Sequence, residues 1–187
     1  VTILPIRITG EPVLHRQAEP VAEITPEIKA LIEDMFETMD AAPGVGLAAP
    51  QIGVGLRIFV YDYEFEETRL RGVAINPQLS ISTIEPSDPD SETESEGCLS
   101  IPTERFPLKR AQDAVLTAID ENGNQYTLSV HGWMARIFQH EFDHLEGILY
   151  SDRLTSPFKE EAEQAIQEYG WGVPGFSWHP GEDDLEP

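Results

Sequence analysis

The sequence predicts an α+β fold, with mixed or antiparallel β-strands around one central helix. Three observations carry this. Segments rich in β-branched and aromatic residues are grouped in the middle of the chain, helical patterns stand at both ends, and an Asn-Gly pair joins two of the β-rich segments. Strands gathered together, with helices set apart, describe α+β and not the strict alternation of a parallel α/β sheet. With 187 residues, 40% of them hydrophobic, the chain suffices for one domain with a sizeable core.

Taken in order, Thr25-Pro26-Glu27 is a helix start: a capping hydroxyl, a proline at the first helical position and an acid in the first turn. Apolar residues follow at Ile28, Leu31, Ile32, Met35 and Met39, which share one helical face, so both methionines belong in the core. Ala42-Pro43-Gly44-Val45-Gly46 ends this helix in a loop. Residues 56–61 read as a strand, and 73–75 and 79–84 as two more, interrupted by Asn76-Pro77. Residues 114–119 and 126–130 flank Glu121-Asn122-Gly123-Asn124, and Asn-Gly between β-rich segments signals a hairpin. Residues 133–145 read as a helix closed by Gly147, and 158–169 as a second, exposed helix. From Gly170 the chain is rich in Gly, Pro and aromatics and ends acidic. Such a tail either lies against the body through Trp171, Phe176 and Trp178 or is mobile. The expected organisation is a domain over residues 1–169 and a tail over 170–187, without repeat or linker.

The formal charge of −22 repels phosphate backbones and argues against direct nucleic-acid binding. Residues 85–96 carry six acids and no base, and all but Glu96 are expected in a solvated loop. Residues 1–10 show no signal-peptide pattern, and no apolar run reaches membrane-spanning length, so the expectation is a cytoplasmic protein without a membrane partner. Cys98 is the single cysteine, which excludes an intrachain disulfide and leaves a ligand, a nucleophile or a small buried apolar group.

His140-Glu141-Phe142-Asp143-His144 is an H-E-x-x-H sequence inside a predicted helix. Residues four apart stand one above the other on a helix face, so both imidazoles can reach one metal ion. Glu141 shares that side and is placed beside the metal without having to ligate it. Two nitrogen ligands and a carboxylate that accepts a proton from water are what metal-assisted hydrolysis requires. Hydrolytic sites of this kind usually have three protein ligands, and Cys98, in Glu96-Gly97-Cys98-Leu99-Ser100, is the natural third. Leu99 and Ile101 alternate as in a short strand. Gly44-Val45-Gly46-Leu47-Ala48-Ala49-Pro50-Gln51 is a third segment, with glycines that permit close backbone approach and a glutamine amide that can donate. Two other readings stand beside this one. A zincin-type peptidase would draw its third ligand from downstream, Glu161 or Glu163, and a non-catalytic metal-stabilised module would have a closed site of four ligands.

Together the three segments resemble the motifs of the peptide deformylase family: G-x-G-L-A-A-x-Q at residues 44–51, E-G-C-L-S at 96–100 and Q-H-E-x-D-H at 139–144. All are intact and in order, and the resemblance extends over about residues 5–169. It implies removal of the formyl group from the N-terminal methionine of new proteins. It implies Cys98, His140 and His144 as metal ligands, usually of Fe²⁺, with Zn²⁺, Ni²⁺ or Co²⁺ able to substitute. It implies Glu141 as general base and then acid, with Gln51 and the Leu99 N–H holding the oxyanion. Gly46 is implied to bind the substrate peptide, with Val45, Glu96, Gly97, Arg105 and Ile137 around it. N-formylmethionyl nascent peptides are the implied partners, met by a monomer. Some members carry a basic C-terminal helix that docks on the ribosome. This chain departs from them, since residues 156–187 hold one base, Lys159, against eight acids.

Overall fold

The computed structural model describes residues 1–185; the end of the acidic tail, Glu186 and Pro187, lies outside the described residues. The elements run β1 (Ile6–Arg7), α1 (Pro26–Ala41), β2 (Gly46–Ala48), β3 (Ile58–Phe65), β4 (Thr68–Ile81), β5 (Ser95–Cys98), β6 (Ile101–Pro107), β7 (Asp113–Ile119), β8 (Gln125–His131), α2 (Gly132–Leu145), α3 (Tyr150–Arg153), α4 (Phe158–Glu168) and β9 (Ser177–Trp178). The expected α+β architecture is present. Strands β2-β3-β4-β7-β8 form one antiparallel sheet, and β5-β6 and β1-β9 form two small ones.

The large sheet is covered on both faces where it matters. Side chains alternate across a strand, so Ile58 and Val60 join Met35 and Met39 of α1, whereas Phe59 and Tyr61 join Ile137 and Phe138 of α2. This explains the uninterrupted apolar run of residues 58–61. Thr25 caps α1 by accepting the Ile28 N–H at 3.3 Å, as its sequence demands.

Three strand expectations need correction. The strand read over 56–61 begins at Ile58 and runs to Phe65, turning through Glu66 and Glu67 into β4. Both turn residues have positive φ, 48° and 62°, which is the geometry of a two-residue hairpin made here without glycine or asparagine. The two strands read over 73–75 and 79–84 are one, β4, with a bulge between Ile75 and Gln78. Asn76 sits there at φ 48° and its side-chain amide exchanges hydrogen bonds with the Val21 backbone, so the irregularity is held in place. Finally, Leu99 and Ile101 do not share a strand. Cys98 ends β5, and Leu99-Ser100 turns the chain into β6.

The tail lies against the body. Trp178 is buried, Trp171 packs on the core and Phe176 remains 41% exposed. Among the described residues, no helix is long and apolar enough to cross a membrane.

Candidate active site

Helix α2 carries His140 and His144 one turn apart, and its buried face points them at the end of β5. There the ligand-capable atoms of Cys98, His140 and His144 all lie within 4.8 Å of one another, and all three residues are buried. Cys98 Sγ is 3.4 Å from His144 Nε2. Metal–sulfur and metal–nitrogen bonds of about 2.3 and 2.0 Å at a tetrahedral angle put two such donors about 3.5 Å apart, so this spacing suits a shared ion. Glu161 and Glu163 are exposed on α4 and are not part of the cluster that Cys98 forms with the two histidines.

The charges around the two imidazoles act in opposite directions. Burial would lower His140, yet the Cys98 sulfur and Glu96 outweigh it and raise the imidazole well above its ordinary value. Burial, then the charges of His140 and Arg110, hold His144 well below its ordinary value and so neutral, the form that ligates.

Glu96 lines the cavity, but its carboxylate is already engaged. Oε1 is 2.8 Å from His140 Nδ1, Arg110 reaches both oxygens at 2.8 and 2.9 Å, and Arg136 donates to Oε2 at 2.8 Å. Burial alone would push this carboxyl up; Arg110 and His140 reverse that and hold it below the usual carboxylate range. Its carboxylate therefore sits behind His140 and holds the ring through Nδ1. Asp143 extends the chain of charges, accepting from Arg110 at 2.7 Å and from Arg153 at 2.7 and 2.8 Å. Replacing Glu96 with Ala strips one buried partner from each of two arginines. The expected cost is about 3–5 kcal/mol, read by urea denaturation; a loss under about 1 kcal/mol would show that the arginines re-pair.

Glu141 stands beside the histidines, buried, with Oε2 making no hydrogen bond among the described residues. Burial is the main cause that raises its carboxyl to about 7. The glycine at 46 makes room for it: a β-carbon there would lie 2.5 Å from Glu141 Oε1. Gln51 is oriented from behind. Its Oε1 accepts the Ala48 N–H at 2.9 Å, which turns Nε2 toward Ser100 Oγ at 3.2 Å and Cys98 Sγ at 3.8 Å.

One cavity of about 350 Å³ brings these groups together. Every site residue that the family resemblance implied lines it except His144, which lies deeper: Val45, Gly46, Gln51, Glu96, Gly97, Cys98, Leu99, Arg105, Ile137, His140 and Glu141. Arg105 also donates to the Ser95 carbonyl at 2.7 Å, anchoring its guanidinium to the rim. The wall contains Gly44, the first residue of the first motif, and also Trp133, Arg136 and Pro43, which the motifs did not point to. Trp133 was accessible to periodicity, since it precedes Ile137 by four residues and shares its helical face.

The model of the family described as polypeptide deformylase matches residues 3–160. A peptide deformylase of Mycolicibacterium paratuberculosis is 49% identical over 188 residues, covering 96% of this chain and 95% of its own. One from Tropheryma whipplei strain TW08/27 is 51% identical over 191 residues, covering 96% and 94%. Among solved structures, the peptide deformylase of Thermus thermophilus superposes with a TM-score of 0.77 at 42% identity, covering 89% of this chain and 94% of that one. The Ehrlichia chaffeensis enzyme in complex with actinonin superposes at 0.78 with 33% identity, covering 90% and 96%.

Proposed function

We infer the working of the site from one premise: the chain belongs to the polypeptide deformylase family, whose members remove the N-formyl group from nascent peptides. The chain is a metallohydrolase of that activity. The observation that carries the mechanism is the convergence, in one cavity, of a Cys-His-His cluster with the buried Glu141 carboxylate, whose Oε2 makes no hydrogen bond among the described residues.

We propose Cys98, His140 and His144 as the ligands of a divalent ion, Fe²⁺ in the cell, with Zn²⁺, Ni²⁺ or Co²⁺ able to replace it. A thiolate and two imidazoles suit these ions. When bound, the ion supplies Lewis acidity, lowering the pKa of water and polarising a carbonyl oxygen. Glu141 accepts a proton from the attacking water, whose oxygen adds to the formyl carbon. The negative charge that develops on the formyl oxygen is met by Gln51 Nε2 and the Leu99 N–H. The C–N bond then breaks, and Glu141 returns the proton to the leaving nitrogen, giving formate and a free α-amino group. The backbone at Gly46 and Gly97 holds the peptide, and Val45, Ile137 and Trp133 give the methionine side chain an apolar wall. Arg105 lies at the rim, where the peptide would leave.

Formyl-Met-Ala-Ser is expected to be hydrolysed, with formate released, and the unformylated peptide is expected to remain intact. A chelator should abolish the activity, and Fe²⁺, Ni²⁺ or Co²⁺ should restore it. Actinonin, which occupies the Ehrlichia chaffeensis homologue, should inhibit. Cleavage of an internal peptide bond instead would point to a peptidase.

The acidic character of residues 156–187 supports an enzyme that meets nascent chains in the cytoplasm by diffusion, as a monomer. Polyanions repel, and no counterions are released on contact. Cosedimentation with ribosomes should be weak and insensitive to salt. Binding that falls steeply with salt and vanishes on deleting residues 156–187 would overturn this.

A further inference from the structure

The tail beyond residue 169 continues past the segment matched by the family model, which ends at 160. It is nevertheless built into the site. Gly172 N–H donates to the Thr9 carbonyl at 3.0 Å, Ile8 N–H donates to the Phe176 carbonyl at 3.0 Å, and β9 pairs with β1 through Ile6 and Trp178. Gly10 is pressed so closely on this strap that a β-carbon there would lie 2.3 Å from the Val173 nitrogen. The N-terminal segment in turn grips the metal-site turn, since Thr9 N–H donates to the Ser100 carbonyl at 2.8 Å.

At the end of the strap, Trp178 is 2% exposed, and its indole Nε1–H donates to the Leu99 carbonyl at 2.8 Å. That carbonyl and the Ser100 N–H belong to the same peptide group. The Ser100 N–H donates to Cys98 Sγ at 3.4 Å. A planar peptide cannot turn its carbonyl without turning its N–H. We propose that Trp178 is a positioning residue for the metal centre: by holding the Leu99–Ser100 peptide it aims the N–H···S bond at Cys98 and so sets the electron density of the ligating sulfur. Hydrogen bonds to a ligand sulfur are a recognised means of tuning a metal site, and a rigid polar partner behind a ligand is worth about 10–100-fold in metal affinity. The large indole body also belongs to the core cluster that holds Met39 and Leu99, so packing and polarity are joined in one side chain.

The inference rests on Cys98 being a ligand, and the test separates the two. Trp178→Phe keeps most of the ring volume and removes only the donor. In the cobalt-loaded protein the sulfur-to-cobalt charge-transfer band should move to longer wavelength, because a sulfur with a weaker hydrogen bond gives up charge more easily. Competition with a chelator should show cobalt held about 10-fold less tightly. An unchanged band in a folded Trp178→Phe protein overturns the link alone; absence of the band from the unaltered protein overturns the ligand assignment and the link with it. Should Trp178→Phe fail to fold, the unaltered protein decides. Its three tryptophan indoles can be resolved by nitrogen-15 NMR and assigned by elimination with Trp133→Phe and Trp171→Phe. The Trp178 indole should exchange slowly with solvent and shift on zinc loading while Trp171 stays in place. Fast exchange, or no shift, overturns the proposal.

Discussion

Replacing Glu141 with Ala is expected to leave the metal bound and to remove turnover by at least about 10²–10⁴-fold, the usual worth of positioned acid–base help. The geometry separates the two effects. Glu141 lies on the same helix as the two histidines, but its Oε2 has no partner among the described residues, whereas the three ligand-capable atoms cluster without it. A carboxylate that ligated would be fixed; one that carries a proton has to be free to receive it. Its surroundings also suit that task, since burial raises the carboxyl to about 7 and so narrows the gap between holding and releasing a proton near neutrality. The measurement is paired: metal content by elemental analysis and formate release from formyl-Met-Ala-Ser, with Glu141→Gln as a variant of nearly equal volume. Metal lost from Glu141→Gln, with normal turnover per remaining metal, would make Glu141 a ligand and remove the proton carrier from the mechanism.

The parts of this molecule that were legible in its sequence are those in which chemistry coincides with a period. Met35 and Met39 could be placed in the core because they share a helical face, and His140 and His144 could be brought to one point because helix geometry stacks residues four apart. Cys98 could be joined to them because a short motif surrounds it and no other thiol competes. The remainder depends on contacts that no local pattern encodes. The hairpin at Glu66-Glu67 has no turn residue to announce it, and its positive φ angles are imposed by the pairing of two long strands. Asn76-Pro77 looks like a strand end, yet the Asn76 amide finds the Val21 backbone and turns the break into a bulge. The β1–β9 pair has two residues on each side, too few for any alternation to be read. The role of Glu96 was hidden in the same way. A motif marks it as important, but only the folded chain shows Arg110, Arg136 and His140 closing around its carboxylate.

Cys98→Ala should lose metal and activity together. With the thiolate gone, only two imidazoles remain as ligands, and the one negatively charged donor of the cluster disappears with it. The effect should exceed the about 10–100-fold in metal affinity that follows from losing a hydrogen-bond partner behind a ligand, which gives a ranking: Trp178→Phe mild, Glu96→Gln intermediate, Cys98→Ala severe. The fold has less at stake. Cys98 is a small side chain in a cluster with Ile101, Phe106 and Tyr150, and removing one sulfur leaves a void of modest size. Its two donors, the Ser100 N–H and Gln51 Nε2, lose their sulfur acceptor, but Gln51 keeps its contact with Ser100 Oγ. Cys98→Ala should therefore fold, with a midpoint of urea denaturation near that of the metal-free parent, and that comparison isolates the ligand from the scaffold. Dialysis of parent and variant against a graded chelator, followed by elemental analysis and a formate assay on each fraction, reads both quantities at once. Metal and activity should fall on one line. An active Cys98→Ala protein that retains one tightly bound metal would mean that the third ligand is elsewhere, and the mechanism would have to be rebuilt around it.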